Sequence, residues 1–282
     1  MNNLKPHSTN INGINFTWGN KTYIMGVINI TPDSFSGDGI ENNINLVIEK
    51  ALLFEKCGAD IIDIGGESTR PLAIYKGARP ISEEEEINRV IPVIQELRHR
   101  INIPISIDTY KPKVALNAIK VGASMINDVL GFRNSDEMMK IVAEYGLPVV
   151  LMHNHINHNY TNLIKNIEDY FYNIIDLSVN SGIKKENIII DPGIGFGKNT
   201  RQNLEIYRNL DKFRSLGHPI LVGMSRKASI GDVLNLPVEE RLEGTSAVVA
   251  LCISKKVDII RVHDVCEMNR VAKMSDAIVR GW

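Results

Sequence analysis

Residues 23–29 read YIMGVIN, a continuously apolar run that ends on a polar residue, and this pattern recurs along the chain. Seven further short runs, rich in β-branched residues, also end on or just before a polar cluster. Short, continuously apolar runs are typical of parallel strands that are buried on both faces. We therefore predict strands at 23–29, 61–64, 105–107, 125–127, 149–152, 188–190, 220–222 and 259–262.

Stretches with apolar residues at helical spacing separate these strands. Alternation of strand and helix eight times over favours an α/β fold, a single (β/α)8 TIM barrel with its active site at the C-terminal ends of the strands. A doubly wound open sheet is the alternative, but no Gly-x-Gly-x-x-Gly turn follows the first strand. The predicted helices cover 44–57, 82–98, 113–121, 135–145, 166–181, 203–216, 241–255 and 266–278.

The length fits one barrel, because the chain has 282 residues and an eight-fold barrel typically needs about 250. We predict a barrel domain at 21–282, preceded by a polar, Asn-rich extension at 1–20 that we expect to be flexible. The net charge of −1 creates no field that favours nucleic acid or an anionic membrane. The start of the sequence has no signal-peptide core, so we expect a cytoplasmic protein.

The three cysteines are Cys57, Cys252 and Cys266. Their odd number and wide spacing argue against a disulfide framework, and no paired spacing suggests zinc. We expect all three to be buried as small hydrophobic residues.

Polar residues at the strand ends of such a barrel meet at one mouth and are typical of catalysis. Asp108, Asn127 and Asp191 follow strands three, four and six. Two carboxylates and an amide suit a ligand edge that is rich in N–H donors, with Met152 and Phe196 as apolar walls for a flat ring. A metal pair, an acid–base dyad, or carboxylates that orient a lysine or arginine remain alternatives.

Cationic and donor groups follow strands seven and eight, where barrels often bind phosphate. In a chain without bulk positive charge, this clustering indicates an anionic substrate. The group consists of Gly223, Ser225, Arg226, Lys227, Arg261 and His263.

Two further features raise the question of metal binding. Asn29 offers an amide oxygen at a strand end, which suits Mg²⁺, although its loop is also rich in turn formers. His153, His155 and His158 have metal-like spacing, but no matching carboxylate lies nearby in the sequence, so we do not assign them a metal.

In these motifs the chain resembles the dihydropteroate synthase family, which sulfonamides inhibit. The resemblance extends over nearly the whole chain from Tyr23 onward. It is carried by MGVINITPDSFS at 25–36, DIGGESTRP at 63–71, SIDT at 106–109, INDV at 126–129, DPGIGFG at 191–197, SRK at 225–227 and RVHD at 261–264.

The resemblance implies that p-aminobenzoate displaces pyrophosphate from 6-hydroxymethyl-7,8-dihydropterin pyrophosphate, with help from Mg²⁺, in a homodimeric enzyme. It implies that catalysis rests on Asn29, Arg70, Lys227, Arg261 and His263. It further implies a pterin site of Asp108, Asn127, Asp191 and Lys227, a pyrophosphate site of Asn29, Arg70, Arg261 and His263, and a p-aminobenzoate site of Thr69, Pro71, Phe196, Ser225 and Lys227.

Two loops depart from the family pattern, at SGDG in 36–39 and at the stretch after Pro71. We expect these departures to affect p-aminobenzoate affinity and sulfonamide sensitivity rather than the type of reaction. The nearest rival is a pterin-binding methyltransferase that transfers a methyl group from methyltetrahydrofolate to a corrinoid protein. A pterin-binding protein without enzymatic activity is a third hypothesis.

Overall fold

Eight parallel strands form a barrel in the computed structural model, which describes residues 8–30, 40–67, 80–133, 135–155 and 160–281, without the side chains of 40–43. An isolated bridge between Ile190 and Ile220 joins the two edges of the sheet. The barrel is therefore confirmed over the open sheet. The strands, after a hairpin of β1 (Ser8–Ile11) and β2 (Ile14–Thr17), are β3 (Tyr23–Asn29), β4 (Ile61–Gly65), β5 (Ile105–Asp108), β6 (Met125–Asp128), β7 (Val149–Met152), β8 (Ile188–Asp191), β9 (Leu221–Gly223) and β10 (Ile259–Val262).

Helices surround the barrel and pack their apolar faces against the strands. None of the helices in the described ranges is long and apolar enough to cross a membrane. The α-helices are α1 (Ile40–Lys56), α2 (Glu83–Leu97), α3 (Pro112–Val121), α4 (Asp136–Tyr145), α5 (Leu163–Asn180), α6 (Thr200–Arg208), α7 (Ala228–Leu234), α8 (Leu242–Ser254) and α9 (Val265–Val279), with 3₁₀ turns at Lys185–Asn187, Leu210–Leu216 and Val238–Glu240.

One predicted helix differs from the structure, and one short helix was not predicted. The helix predicted at 203–216 ends at Arg208 and continues as a 3₁₀ turn. The side chain of Asn209 donates to the Glu205 carbonyl at 2.8 Å, and such local bonds favour helix ends over helix interiors. The short helix α7 was not predicted, because it begins directly after the cationic cluster and spans only seven residues.

The N-terminal hairpin belongs to the core rather than to a flexible extension. Asn12 and Gly13 both have positive φ, +51° and +81°, as a two-residue hairpin turn requires. Phe16 and Trp18 are buried and pack against Tyr23, with ring centroids 4.7 Å and 5.3 Å from it. The Asn12-Gly13 pair is a typical hairpin signal, although we placed these residues in the predicted extension at 1–20.

The hairpin packs onto the inner layer at the N-terminal end of the barrel, and this layer determines where the polar residues lie. Its members from the strands are Tyr23, Met25, Ile61, Met125, Val150, Ile189, Leu221 and Ile259. Residues two positions apart on a strand share a face, so the next inward side chains face the mouth. They include Asp63, Asn127, Met152, Asp191 and Arg261.

The prediction of three unpaired cysteines is wrong for two of them. Cys57, just after α1, and Cys266, in α9, form a disulfide, whereas Cys252 is buried and free. Closure of the barrel brings these two helices together, and Asn269 of α9 also donates to the Cys57 carbonyl. Sequence spacing could not predict the pair, because the residues are 209 positions apart.

We expect reduction of this disulfide to lower the free energy of unfolding by about 2–4 kcal/mol, the usual range for a cross-link that constrains the unfolded chain. Urea denaturation with and without dithiothreitol measures the difference. The double variant C57S/C266S is the control and should not respond to the reductant. Equal stability of the parent protein under both conditions would contradict the prediction.

Candidate active site

One arginine connects three strands at the floor of the barrel mouth. Arg261 on β10 donates from Nε to Asp63 Oδ2 on β4 and from Nη2 to Asp108 Oδ2 on β5, both at 2.6 Å. Asn127 on β6 donates from Nδ2 to the same Asp63 oxygen at 3.1 Å. Charge-assisted bonds of this length are the stronger kind, so the four side chains form one rigid unit, which we call the polar floor.

The carboxylates of the polar floor retain unused acceptor capacity. Oδ1 of Asp63 and Oδ1 of Asp108 are buried and accept no hydrogen bond within the described part of the chain. Burial raises the pKa of Asp108 to about 7, Arg261 lowers it, and the charge of Asp63 raises it further. Buried acceptors are costly unless they are paired, so the floor suits a ligand that brings N–H donors.

Asp191, at the end of β8, supplies a third carboxylate. Its Oδ1 accepts a 2.7 Å bond from the Gly193 amide, which fixes the side chain. Burial raises the pKa of Asp191, and the Gly193 amide and the Lys227 charge oppose that rise. Asp108, Asn127 and Asp191, on β5, β6 and β8, thus lie at the same mouth of the barrel, as the sequence predicts.

Lys227 and Phe196 lie together beside this carboxylate. The Lys227 ammonium lies 4.5 Å from the centroid of the Phe196 ring, a cation–π contact. Gly195 leaves space for the lysine stem, since a Cβ there would lie 3.2 Å from Lys227 Cδ. The pair presents an aromatic face and a cation at the same side of the mouth.

A buried lysine that we did not assign to the site holds the loop that carries Phe196. The Lys198 ammonium donates to the carbonyls of His153, Gly193 and Phe196 at 2.9–3.0 Å. Burial lowers the pKa of Lys198 to about 7, and nearby Asp191 raises it. The loop is compact at Gly193, where φ is +72° and a Cβ would lie 2.0 Å from the His153 carbonyl oxygen.

Ser225 and His263 lie close together just after the ends of β9 and β10. Nδ1 of His263 lies 3.1 Å from Ser225 Oγ, and the His263 amide donates to the same oxygen at 3.3 Å. Arg226 lies differently from its neighbours in the sequence. Its guanidinium makes a two-point ion pair with Asp264, at 3.0 Å and 2.5 Å, so its charge is already balanced by a carboxylate.

Three other predicted residues line the same mouth. Asn29 is half-buried at the end of β3, and a Cβ on Gly65 would lie 3.4 Å from its Oδ1 and 3.6 Å from Cβ of Asp108. Met152 is buried at the end of β7, and Gly223 is half-buried opposite Arg261. Thr69, Arg70 and Pro71, the loop at 31–39, and His158 lie outside the described residues, so their roles stay predictions.

His153 is part of an aromatic cluster. The side chain is buried, and its ring centroid lies 5.0 Å from that of Tyr170 in an edge-on contact. Burial lowers its pKa to about 2, and nearby positive charges, first that of Lys198, lower it further. With so low a pKa the ring hardly binds a proton at physiological pH, which argues against a role as a general acid or base.

The comparisons with known proteins agree with this geometry. A sequence profile of the family described as "Pterin binding enzyme" matches residues 25–263. The dihydropteroate synthase of Clostridium beijerinckii is 51% identical over 266 residues, which cover 94% of this chain and 97% of that relative.

Two solved structures share the fold over almost their whole length. Dihydropteroate synthase from Clostridium difficile, crystallised in the presence of pteroic acid, has a TM-score of 0.89 at 48% identity, with 93% of this chain and 98% of that chain covered. Dihydropteroate synthase from Xanthomonas albilineans with 4-aminobenzoic acid has a TM-score of 0.90 at 36% identity, with 97% and 98% covered.

Proposed function

Because the chain belongs to the dihydropteroate synthases of the pterin-binding enzyme family, we propose that it condenses 6-hydroxymethyl-7,8-dihydropterin pyrophosphate with p-aminobenzoate. The products are 7,8-dihydropteroate and pyrophosphate, so the enzyme is a transferase. The observation that carries the proposal is the polar floor, where Arg261 binds Asp63 and Asp108 and Asn127 donates to Asp63. The relatives reported above are dihydropteroate synthases, which favours this reaction over that of a corrinoid methyltransferase.

The polar floor and Asp191 would bind the edge of the pterin ring. That edge carries an amino group and a ring N–H, and carboxylates accept from such donors more strongly than neutral groups do. Asp63 and Asp108 each have a buried oxygen in reserve. Fixed acceptors of this kind orient the ring so that its exocyclic methylene group points out of the pocket.

The transfer breaks the bond between the methylene carbon and the pyrophosphate oxygen. The amine nitrogen of p-aminobenzoate bonds to that carbon and then loses a proton, while the electron pair leaves with pyrophosphate. Negative charge therefore grows on the leaving group, and donors placed there stabilise the transition state. The candidates for this task within the described residues are Arg261, His263 and Ser225. The sequence adds Arg70, which lies outside them.

The second substrate requires positioning more than activation, because an arylamine attacks without a strong base. Lys227 and the Phe196 ring form a 4.5 Å pair beside Asp191. The ammonium suits the carboxylate of p-aminobenzoate, and the ring suits its aromatic face. Ser225 lies nearby in sequence and contributes a hydroxyl group.

We include Mg²⁺ in the proposal, with Asn29 as its protein ligand. Mg²⁺ usually binds one or two protein oxygens together with substrate phosphates and water, and an amide oxygen beside the polar floor fits that habit. When bound, the ion would neutralise charge on the departing pyrophosphate. The residues of this chain would orient the substrates and exclude water.

We further propose that the protein is a homodimer in the cytoplasm. Leu251 on α8 and Met274 and Ile278 on α9 are exposed apolar side chains on the helices that flank the last barrel strand. Exposed apolar residues of this size on adjacent helices are typical of an interface.

We expect the purified protein to form dihydropteroate and pyrophosphate from the two substrates with Mg²⁺, as measured by mass spectrometry, and to lose this activity when the ion is chelated. Asp108→Asn should form little product. The surface variant Asp169→Asn, whose side chain is half exposed on α5, is the matched control. Absence of product from the parent protein beside an active reference synthase would contradict the proposed function.

A further inference from the structure

A buried ion cluster lies beside the polar floor, between the connections that follow β4 and β5. The Lys111 ammonium donates to Glu67 Oε2 at 2.5 Å, to Glu86 Oε2 at 2.7 Å and to the Ile81 carbonyl at 2.8 Å. A lysine ammonium has three donors, so all of them are used. The three charged side chains are only 9%, 8% and 1% exposed, in the order Lys111, Glu67, Glu86.

This cluster fixes both described ends of the connection from β4 to α2. Glu67 stands at its start and Ile81 near its end, and the Ile81 amide also donates to Glu67 Oε2 at 3.3 Å. Tyr110 donates to the other Glu67 oxygen at 3.0 Å. Arg89 of α2 donates to the Gly66 carbonyl at 2.8 Å. The two ends are therefore held to each other and to α2.

The same cluster is connected to the polar floor through a very short segment. β5 ends at Asp108, and Lys111 follows three residues later at the start of α3. Thr109 fixes the segment by accepting a 3.2 Å bond from the Lys111 amide. This short segment therefore sets the position of Lys111 relative to Asp108, which Arg261 holds in the polar floor.

The energetics suggest that the cluster serves geometry rather than stability. Buried ion pairs lose about as much free energy by desolvation as they gain by attraction, and well-packed apolar residues are often equally stable. Burial raises the pKa of Glu86 and Lys111 lowers it, so the carboxylate depends on the lysine for its charge. What the cluster provides is a fixed distance between β4, α2 and the end of β5.

We propose that Lys111 is a positioning residue for the transfer reaction. It fixes Glu67 and Ile81, and hence the ends of the connection that carries Thr69, Arg70 and Pro71, relative to Asp108. The inference rests on the proposed function, because the resemblance to dihydropteroate synthases implies that these three residues serve pyrophosphate and p-aminobenzoate. Because all three donors of Lys111 are used within the cluster, we assign it no contact with either substrate.

The variant Lys111→Met keeps an unbranched side chain of similar shape, shorter by the ammonium group, and so removes its donors. We expect the KM for p-aminobenzoate to rise and kcat/KM to fall about 10- to 100-fold, the loss that a displacement of about 1 Å in positioning groups produces. The affinity for the bare pterin should change less than about threefold, since the polar floor remains. Steady-state kinetics and calorimetry measure the two effects.

Lys113→Met is the matched control. Lys113 is also on α3 and pairs with a glutamate of α2, Glu83, at 3.1 Å, but the lysine side chain is 69% exposed. This variant should behave like the parent protein, because exposed ion pairs contribute little. If Lys111→Met does not fold, Glu67→Gln keeps the Lys111–Glu86 pair and should raise the same KM.

Two results would overturn the proposal. One is an equal loss of affinity for the bare pterin and for p-aminobenzoate, which would indicate general damage to the barrel mouth. The other is an unchanged KM for p-aminobenzoate in the folded variants.

Hydrogen exchange separates this proposal from the proposed function. Faster exchange of the Glu67 and Ile81 amides in Lys111→Met is expected even if the parent protein forms no dihydropteroate, in which case only the proposed function fails. Unchanged exchange at both amides would overturn the positioning role.

Discussion

Replacement of Arg261 by alanine is expected to abolish pterin binding as well as catalysis, because this guanidinium holds two buried carboxylates. Without it, Asp63 and Asp108 both lose the guanidinium that lies 2.6 Å from one oxygen of each carboxylate. Removing one partner of a buried ion pair costs about 3–5 kcal/mol. Since Arg261 retains 20% exposure, we expect the lower end, about 3 kcal/mol of unfolding free energy.

The loss of stability in Arg261→Ala should depend on pH. Burial already raises the pKa of Asp108, and loss of the arginine charge would raise it further above that of the unfolded chain, so the neutral form of Asp108 favours the folded state. That contribution is lost as pH rises, and the variant should be less stable at about pH 8 than at about pH 6. Urea denaturation at both values measures this difference.

Two other variants separate the charge of Arg261 from its shape. Arg261→Lys should restore only part of the binding, because an ammonium cannot donate to two carboxylates in the fixed fork of a guanidinium. Arg270→Ala, on the exposed surface of α9, is the control for stability. Calorimetry with the bare pterin and with its pyrophosphate ester completes the test. Full affinity for the bare pterin in Arg261→Ala would contradict a role for Arg261 in the polar floor.

The positions of Asp108 and Asp191 could be predicted from the sequence, because strand ends follow directly from hydrophobic runs. Tyr23–Asn29, Val149–Met152 and Ile259–Val262 have the predicted bounds. Side-chain alternation then directs Asp108 and Asp191 into the same mouth. Such local rules suffice as long as each strand is considered by itself.

The partners of these residues could not be predicted, because they depend on closure of the barrel. Asp63 and Arg261 are 198 residues apart and meet only because β10 pairs with β3, next to β4. For that reason the sequence assigns no role to Asp63. The pairing of Cys57 with Cys266 likewise depends on closure of the barrel. Arg226 was predicted in the cationic cluster, but its backbone has φ +56° and its guanidinium pairs with Asp264 instead.

The second large effect is expected for Asp108→Asn, which keeps an acceptor for Arg261 but removes the charge. Loss of a charged acceptor should weaken pterin binding by about 1.5–3 kcal/mol, which is roughly 10- to 150-fold in Kd. Calorimetry with the bare pterin measures this loss. The surface variant Asp169→Asn should bind like the parent protein.

The pH dependence of Asp108→Asn tests the cause of that loss. The pKa of Asp108 is raised to about 7 by burial, so the parent protein gains the charged form, and with it pterin affinity, as pH rises through 7. Asparagine does not titrate, and the variant should show a smaller gain over the same range. The raised pKa also means that the neutral form of Asp108 favours folding and that this stability is lost as pH rises from the ordinary aspartate pKa of about 4 through about 7. The variant should therefore approach or exceed the stability of the parent protein in alkaline buffer, whereas identical pH profiles for both proteins would mean that another group controls the site.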